Sequence, residues 1–77
     1  MATPYKNLGG NSGVVAYDIY DKGIVVQFRS GKHTVYLYTE ASVGSVNLLM
    51  MKMLAERGRG LNGFINRHVK YDYSQRL

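Results

Sequence analysis

The chain has no cysteine, a single proline and only five acidic residues among 77. Without cysteine there is no disulfide framework, no thiolate zinc site and no cysteine nucleophile. No run approaches the roughly 18 apolar residues that a membrane-spanning helix needs, and residues 1–7 lack the apolar segment of a secretory leader, so a soluble cytoplasmic protein without a membrane partner is expected. What is present is enough for a core: 45% of the residues are hydrophobic and 19% charged, outside the composition of a disordered chain. A chain of this length forms one small domain and buries only about 60% of the surface it exposes when unfolded.

The shortage of acids leaves a formal charge of +5, and the excess is uneven. Residues 1–56 carry five Lys/Arg against four Asp/Glu. Residues 57–77 carry Arg57, Arg59, Arg67, Lys70 and Arg76 against Asp72 alone, with His68 among them. A clustered cationic surface attracts polyanions because binding releases their condensed counterions, the sequence-independent part of nucleic-acid affinity. A merely solvated basic surface is the plainer reading of the same residues.

Gly9, Gly10, Ser12 and Gly13, set among asparagines, mark residues 1–12 as a flexible arm preceding one domain over residues 13–77. Val14–Tyr20, Ile24–Arg29 and His33–Thr39 are rich in β-branched and aromatic residues and are separated by Asp21-Lys22-Gly23 and Ser30-Gly31-Lys32, which predicts three strands in an antiparallel meander. Alternation puts Ile24, Val26 and Phe28 toward the core. The third strand is apolar on both faces, Tyr36 and Tyr38 on one and Val35 and Leu37 on the other, and is expected to be covered on both sides. From Ser42 to about Arg57, Val43, Val46, Leu49, Met50, Met53 and Leu54 recur at helical spacing and are taken as the core face; Leu48 and Met51 fall outside that stripe. A second, shorter helix is predicted over Leu61–Val69 with Asn62 as its cap. Tyr71-Asp72-Tyr73 alternates as a short fourth strand or a strap would. The fold class expected is α+β: a three-stranded antiparallel meander followed by two helices, with a short strand at the C-terminus.

Tyr17-Asp18, then Ile24, Val26 and Phe28, then Gly31 followed by Tyr36-Leu37-Tyr38, then Ala55, Gly60, Asn62, Ile65 and Tyr71 form an ordered set that resembles the KTSC domain. This is a small module found at the C-terminus of some lysyl-tRNA synthetases and as a free-standing bacterial protein. The resemblance covers residues 12–77, with Ala16 where the family has glycine and Ala41-Ser42-Val43 where it commonly has Val-Pro. It implies a small domain of no established activity, with RNA as the partner suggested by the synthetase context.

Gly58-Arg59-Gly60-Leu61-Asn62-Gly63 spells G-x-G-x-x-G, but a dinucleotide fingerprint follows a strand in a βαβ unit and needs an acidic residue about 20 positions on. Only 14 residues remain, so the cofactor reading is rejected. Gly60-Leu61-Asn62-Gly63 also fits the GXXG loop of KH domains, whose order of elements differs. Two readings stay open for the segment: a phosphate-holding turn assisted by Arg57 and Arg59, or a plain connection between helices. His33 and His68 stand on separate elements without a neighbouring carboxylate, and no metal-ligand spacing is present. No enzyme activity, metal or cofactor is therefore expected. Tyr36 and Tyr38 are read as core; Tyr71 and Tyr73, interleaved with Arg67, Lys70 and Arg76, are the better candidates for stacking on a base.

The expected function is RNA binding, to tRNA or a single strand, through Arg57, Arg59, Gly60, Asn62, Arg67, His68, Lys70, Tyr71, Tyr73 and Arg76. The alternative is a protein-interaction or homodimerisation surface made by Val35, Leu37, Leu48 and Met51.

Overall fold

Strand-forming residues and short turns dominate the first half of the chain and form four strands of an antiparallel sheet, to which the C-terminal segment adds a fifth. The structure is a computed structural model that describes residues 2–10, 12–29 and 34–77. β1 (Thr3–Pro4), β2 (Val14–Tyr20), β3 (Gly23–Phe28), β4 (Val35–Thr39) and β5 (Gln75–Arg76) lie in chain order across the sheet. Between β4 and β5 come α1 (Glu40–Val43), α2 (Ser45–Arg57) and α3 (Leu61–Phe64), the last continuing as a π-helical turn over Ile65–Val69. The protein is therefore α+β. No helix among the described residues is long and apolar enough to cross a membrane.

The register explains which face is buried. Tyr17 lies opposite Val26, Ile24 opposite Tyr38, and Val26 opposite Tyr36. Ile24, Val26 and Tyr38 are buried on this face against Met51, Leu61, Ile65 and Val69, with Val14 beside them. Val35 and Leu37 point to the other face, where they are only half-buried. The third predicted strand is thus fully buried on one side only, because the core gathers on the Tyr38 face. The Ser30-Gly31-Lys32 connection and His33 lie outside the described residues.

Residues 2–10 are packed against the domain, where their composition suggested a loose arm. β1 adds to the sheet edge, and the Tyr5 amide donates to the Val15 carbonyl at 2.9 Å. The Tyr5 ring is buried, its hydroxyl accepts from the Leu61 amide at 3.3 Å, and the Leu8 amide donates to the Gly58 carbonyl at 2.7 Å. Glycine and asparagine here shape a turn, in which the Ser12 amide donates to Asn7 Oδ1 at 3.0 Å. One aromatic anchor outweighs their looseness.

The helices also depart from the periodicity. Thr39 and Ser42 form a reciprocal cap that starts α1, and Gly44 (φ 89°, ψ 155°) separates it from α2. That conformation belongs almost only to glycine, so one predicted helix becomes two. α2 then buries Leu48, Met51 and Ala55 and leaves Val46, Leu49, Met50 and Met53 exposed. Val43 is buried and Leu54 partly buried as expected, but the other four positions of the predicted stripe are turned outward, and Leu48 (3% exposed) and Met51 (0%) are removed from any interaction surface. The helix is apolar nearly all round, so periodicity could not choose between the two stripes. What sets the choice is the entry at Gly44 and the exit at Gly58, with small Ala55 facing the core. Asn62 does not cap the next helix either; Gly60 holds the cap position. The last strand is Gln75–Arg76, beyond Tyr71–Tyr73, with Ser74 donating to the Leu37 carbonyl at 2.7 Å.

Gly58 closes α2 in the left-handed region (φ 79°), its amide donating to the Leu54 and Ala55 carbonyls. A Cβ there would lie 2.6 Å from Lys6 Cβ. Gly58→Ala combines the left-handed cost of roughly 1–2 kcal/mol with that overlap and is expected to destabilise the fold by about 2–3 kcal/mol, read as a lowered urea midpoint at constant m.

Candidate nucleic-acid interface

Two grooves meet at Asn62. The first, of about 170 Å³, lies over the glycine-rich turn, where Tyr5, Asn7 and Ser12 of the packed arm face Arg59, Gly60 and Asn62. The second, of about 380 Å³, runs between the sheet and the last helical segment. One wall is aromatic, made by Phe28, Tyr36, Tyr38 and Tyr73; the other is Asn62, Ile65, Asn66 and Lys70, with Tyr71 at the end.

The aromatic wall is rigid because its rings pack edge to face. Phe28 and Tyr36 have centroids 5.6 Å apart, Tyr36 and Tyr73 4.7 Å, and Tyr38 and Tyr73 6.5 Å. The register places Tyr36 across from Val26 and Tyr38 across from Ile24, and Tyr38 is fully enclosed, consistent with its reading as core. Burial, with Tyr36 and Tyr73 beside it, pushes the Tyr38 hydroxyl far above the ordinary tyrosine range. In alkali the unfolded chain loses this proton first, near pH 10. The folded state then holds more protons, so stability is intact below that pH and declines as pH rises beyond it. Tyr38→Phe is expected to abolish that share of the alkaline loss, seen by comparing denaturation midpoints of the two proteins at pH 9 and pH 11.

Tyr71 is the opposite case, 78% exposed, with Lys70 Nζ 5.4 Å from its ring centroid. A cation over one face of an exposed ring suits a base stacked on the other face next to its phosphate. Tyr73 is half-buried and has one flank occupied by Tyr36 and Tyr38.

The cations of residues 57–77 are all exposed. The single ion pair among the described residues is Lys22 Nζ to Glu40 Oε1 at 3.7 Å, remote from them in sequence and on β4's far end. The structure brings only some of the late cations to the grooves. Arg59 borders the first and Lys70 the second; Arg67 lines neither, but its guanidinium lies over Gly63, a residue of the first groove, with Nη1 3.1 Å from where a Cβ would stand. Arg57, at the end of α2, and Arg76, paired opposite Tyr36 in the sheet, line neither groove, and His68 packs against Phe64 with ring centroids 4.7 Å apart and planes tilted by 40°. The Leu61 amide, one of those a phosphate would use, is already bonded to the Tyr5 hydroxyl. That weakens the phosphate-turn reading of the glycine segment. No group of three or more His, Asp or Glu residues able to hold a metal occurs among the described residues.

Asn66 was not singled out in the sequence, although it stands four residues from both Asn62 and Lys70. Tyr5 was hidden in the arm. Spacing marks the first; nothing local marks the second. Compared with known proteins, the chain shows no significant match to any family model, curated protein or solved structure.

Proposed function

We propose that this protein is a small non-catalytic module that binds single-stranded RNA along the two grooves, Arg59, Arg67 and Lys70 meeting phosphates and Tyr71 stacking on a base. The carrying observation is the exposed Tyr71 with Lys70 beside it at the mouth of an aromatic groove, among cations that no carboxylate neutralises within the described residues. The resemblance to the KTSC domain carried by Tyr17-Asp18, Tyr36-Leu37-Tyr38, Gly60, Asn62, Ile65 and Tyr71 belongs to the same proposal, as does a cytoplasmic setting. The test is a titration of labelled single-stranded RNA at several salt concentrations: log affinity should fall linearly with log salt, by roughly 0.7 per phosphate contacted. Affinity indifferent to salt would overturn the reading.

A second reading, self-association, rests on the apolar stripe that α2 turns outward, Val46 being 73% and Leu49 59% exposed. It replaces the surface first assigned to Leu48 and Met51. Light scattering of the wild type and Leu49→Glu separates the two: a dimer lost in the variant supports it, and a monomer throughout removes it.

A further inference from the structure

Asn62, Asn66 and Lys70 lie at intervals of four and all border the aromatic groove. In an α-helix, residues four apart over-rotate slightly past one full turn. The π-helical winding of Ile65–Val69 is wider, with i to i+5 bonding, so the same interval there under-rotates. The change of winding cancels the drift. Two carboxamides and an ammonium thereby border one groove, with Phe28, Tyr36 and Tyr73 among its other lining residues. π-Turns inside helices occur often at functional sites.

Each carboxamide offers donors and an acceptor, the complement of a base edge. The ring wall offers hydrophobic faces, Lys70 a positive charge, and Asn62 also borders the neighbouring groove where Arg59 stands. From this we infer that the aromatic groove is a pocket for one unpaired nucleobase, its edge read by Asn66 and Asn62 and its phosphate held toward Arg59. The inference rests on the RNA-binding reading and goes beyond it, because contact with phosphates alone discriminates neither base nor strandedness. A base stacked and paired in a duplex cannot enter such a pocket.

The experiment follows the side-chain amide resonances of Asn62 and Asn66 by NMR while the full chain is titrated with a single-stranded RNA octamer, the same octamer as a blunt duplex, and nucleoside 5′-monophosphates. The octamer should shift both amides and the duplex neither. Asn66→Ala, an exposed position, should weaken the octamer about 5- to 10-fold, in keeping with one lost hydrogen-bonded contact, and leave the duplex unaffected. Salt-dependent binding of octamer and duplex alike, with both amides still, rejects the base pocket and leaves the RNA-binding reading standing. Shifts with monophosphates but not with the octamer assign the pocket to free nucleotides and overturn the strand. No binding by any of the three overturns both.

Discussion

Met51→Ala is expected to lower the stability of the protein by about 2–5 kcal/mol, the usual cost of emptying a fully enclosed methionine site. For 77 residues at about 0.05–0.15 kcal/mol each, total stability is roughly 4–12 kcal/mol, so much of the folded population is at stake. Met51 sits at the centre of the core, fully buried against the sheet face that carries Ile24 and Val26. Met53 is the contrasting position, two residues on and 55% exposed. Met53→Ala should change stability by no more than about 0.5 kcal/mol. Urea unfolding of the two variants decides which stripe of α2 faces the sheet: equal effects, or a larger one at Met53, would mean that the helix is turned the other way. Leu48→Ala should follow Met51→Ala for the same reason.

Arg59→Gln, Arg67→Gln and Lys70→Gln combined are expected to weaken single-stranded RNA by on the order of 100-fold, taking about 1 kcal/mol for each exposed contact. The salt slope should shrink by about 2 at the same time, since each lost phosphate contact removes roughly 0.7. The fold should not suffer, because all three side chains are exposed and none forms an ion pair with a carboxylate among the described residues. An unchanged thermal melt would confirm that the loss lies in binding. Arg57→Gln with Arg76→Gln is the spatial control, equal in kind but away from both grooves. If the control lowers affinity as much as the triple variant, the charge acts as a diffuse field and not through the grooves.

The strands were readable from the chain because a half-buried strand writes its pattern with period two, and Ile24, Val26 and Phe28 can alternate in only one way. The first predicted strand, Val14–Tyr20, has the bounds found in the structure, set by the Gly-rich segment before it and the Asp21-Lys22-Gly23 turn after it. α2 was readable as a helix but not as a helix with a direction. Val46, Leu49, Met50 and Met53 make as good a stripe as Leu48, Met51 and Ala55, and the left-handed glycines that aim the helix are not visible in a periodicity. Of the candidate site, the late cations and Tyr71 stood out by composition. Which of them reach a groove did not, because Arg59 lies in the turn between α2 and α3, Lys70 follows the π-helical turn and Arg76 is held in β5.

By itself the sequence determined the class of fold, the location of the positive charge and the absence of thiol chemistry, all of which follow from residue type and short-range order. Tertiary structure alone decided that Tyr5 reaches Leu61 across 56 residues, that α2 turns Met51 inward, and that Asn66 shares a groove with the aromatic wall. These depend on where distant backbone segments meet, and the free energy that selects among such meetings comes from burying surfaces that no local stretch of chain contains.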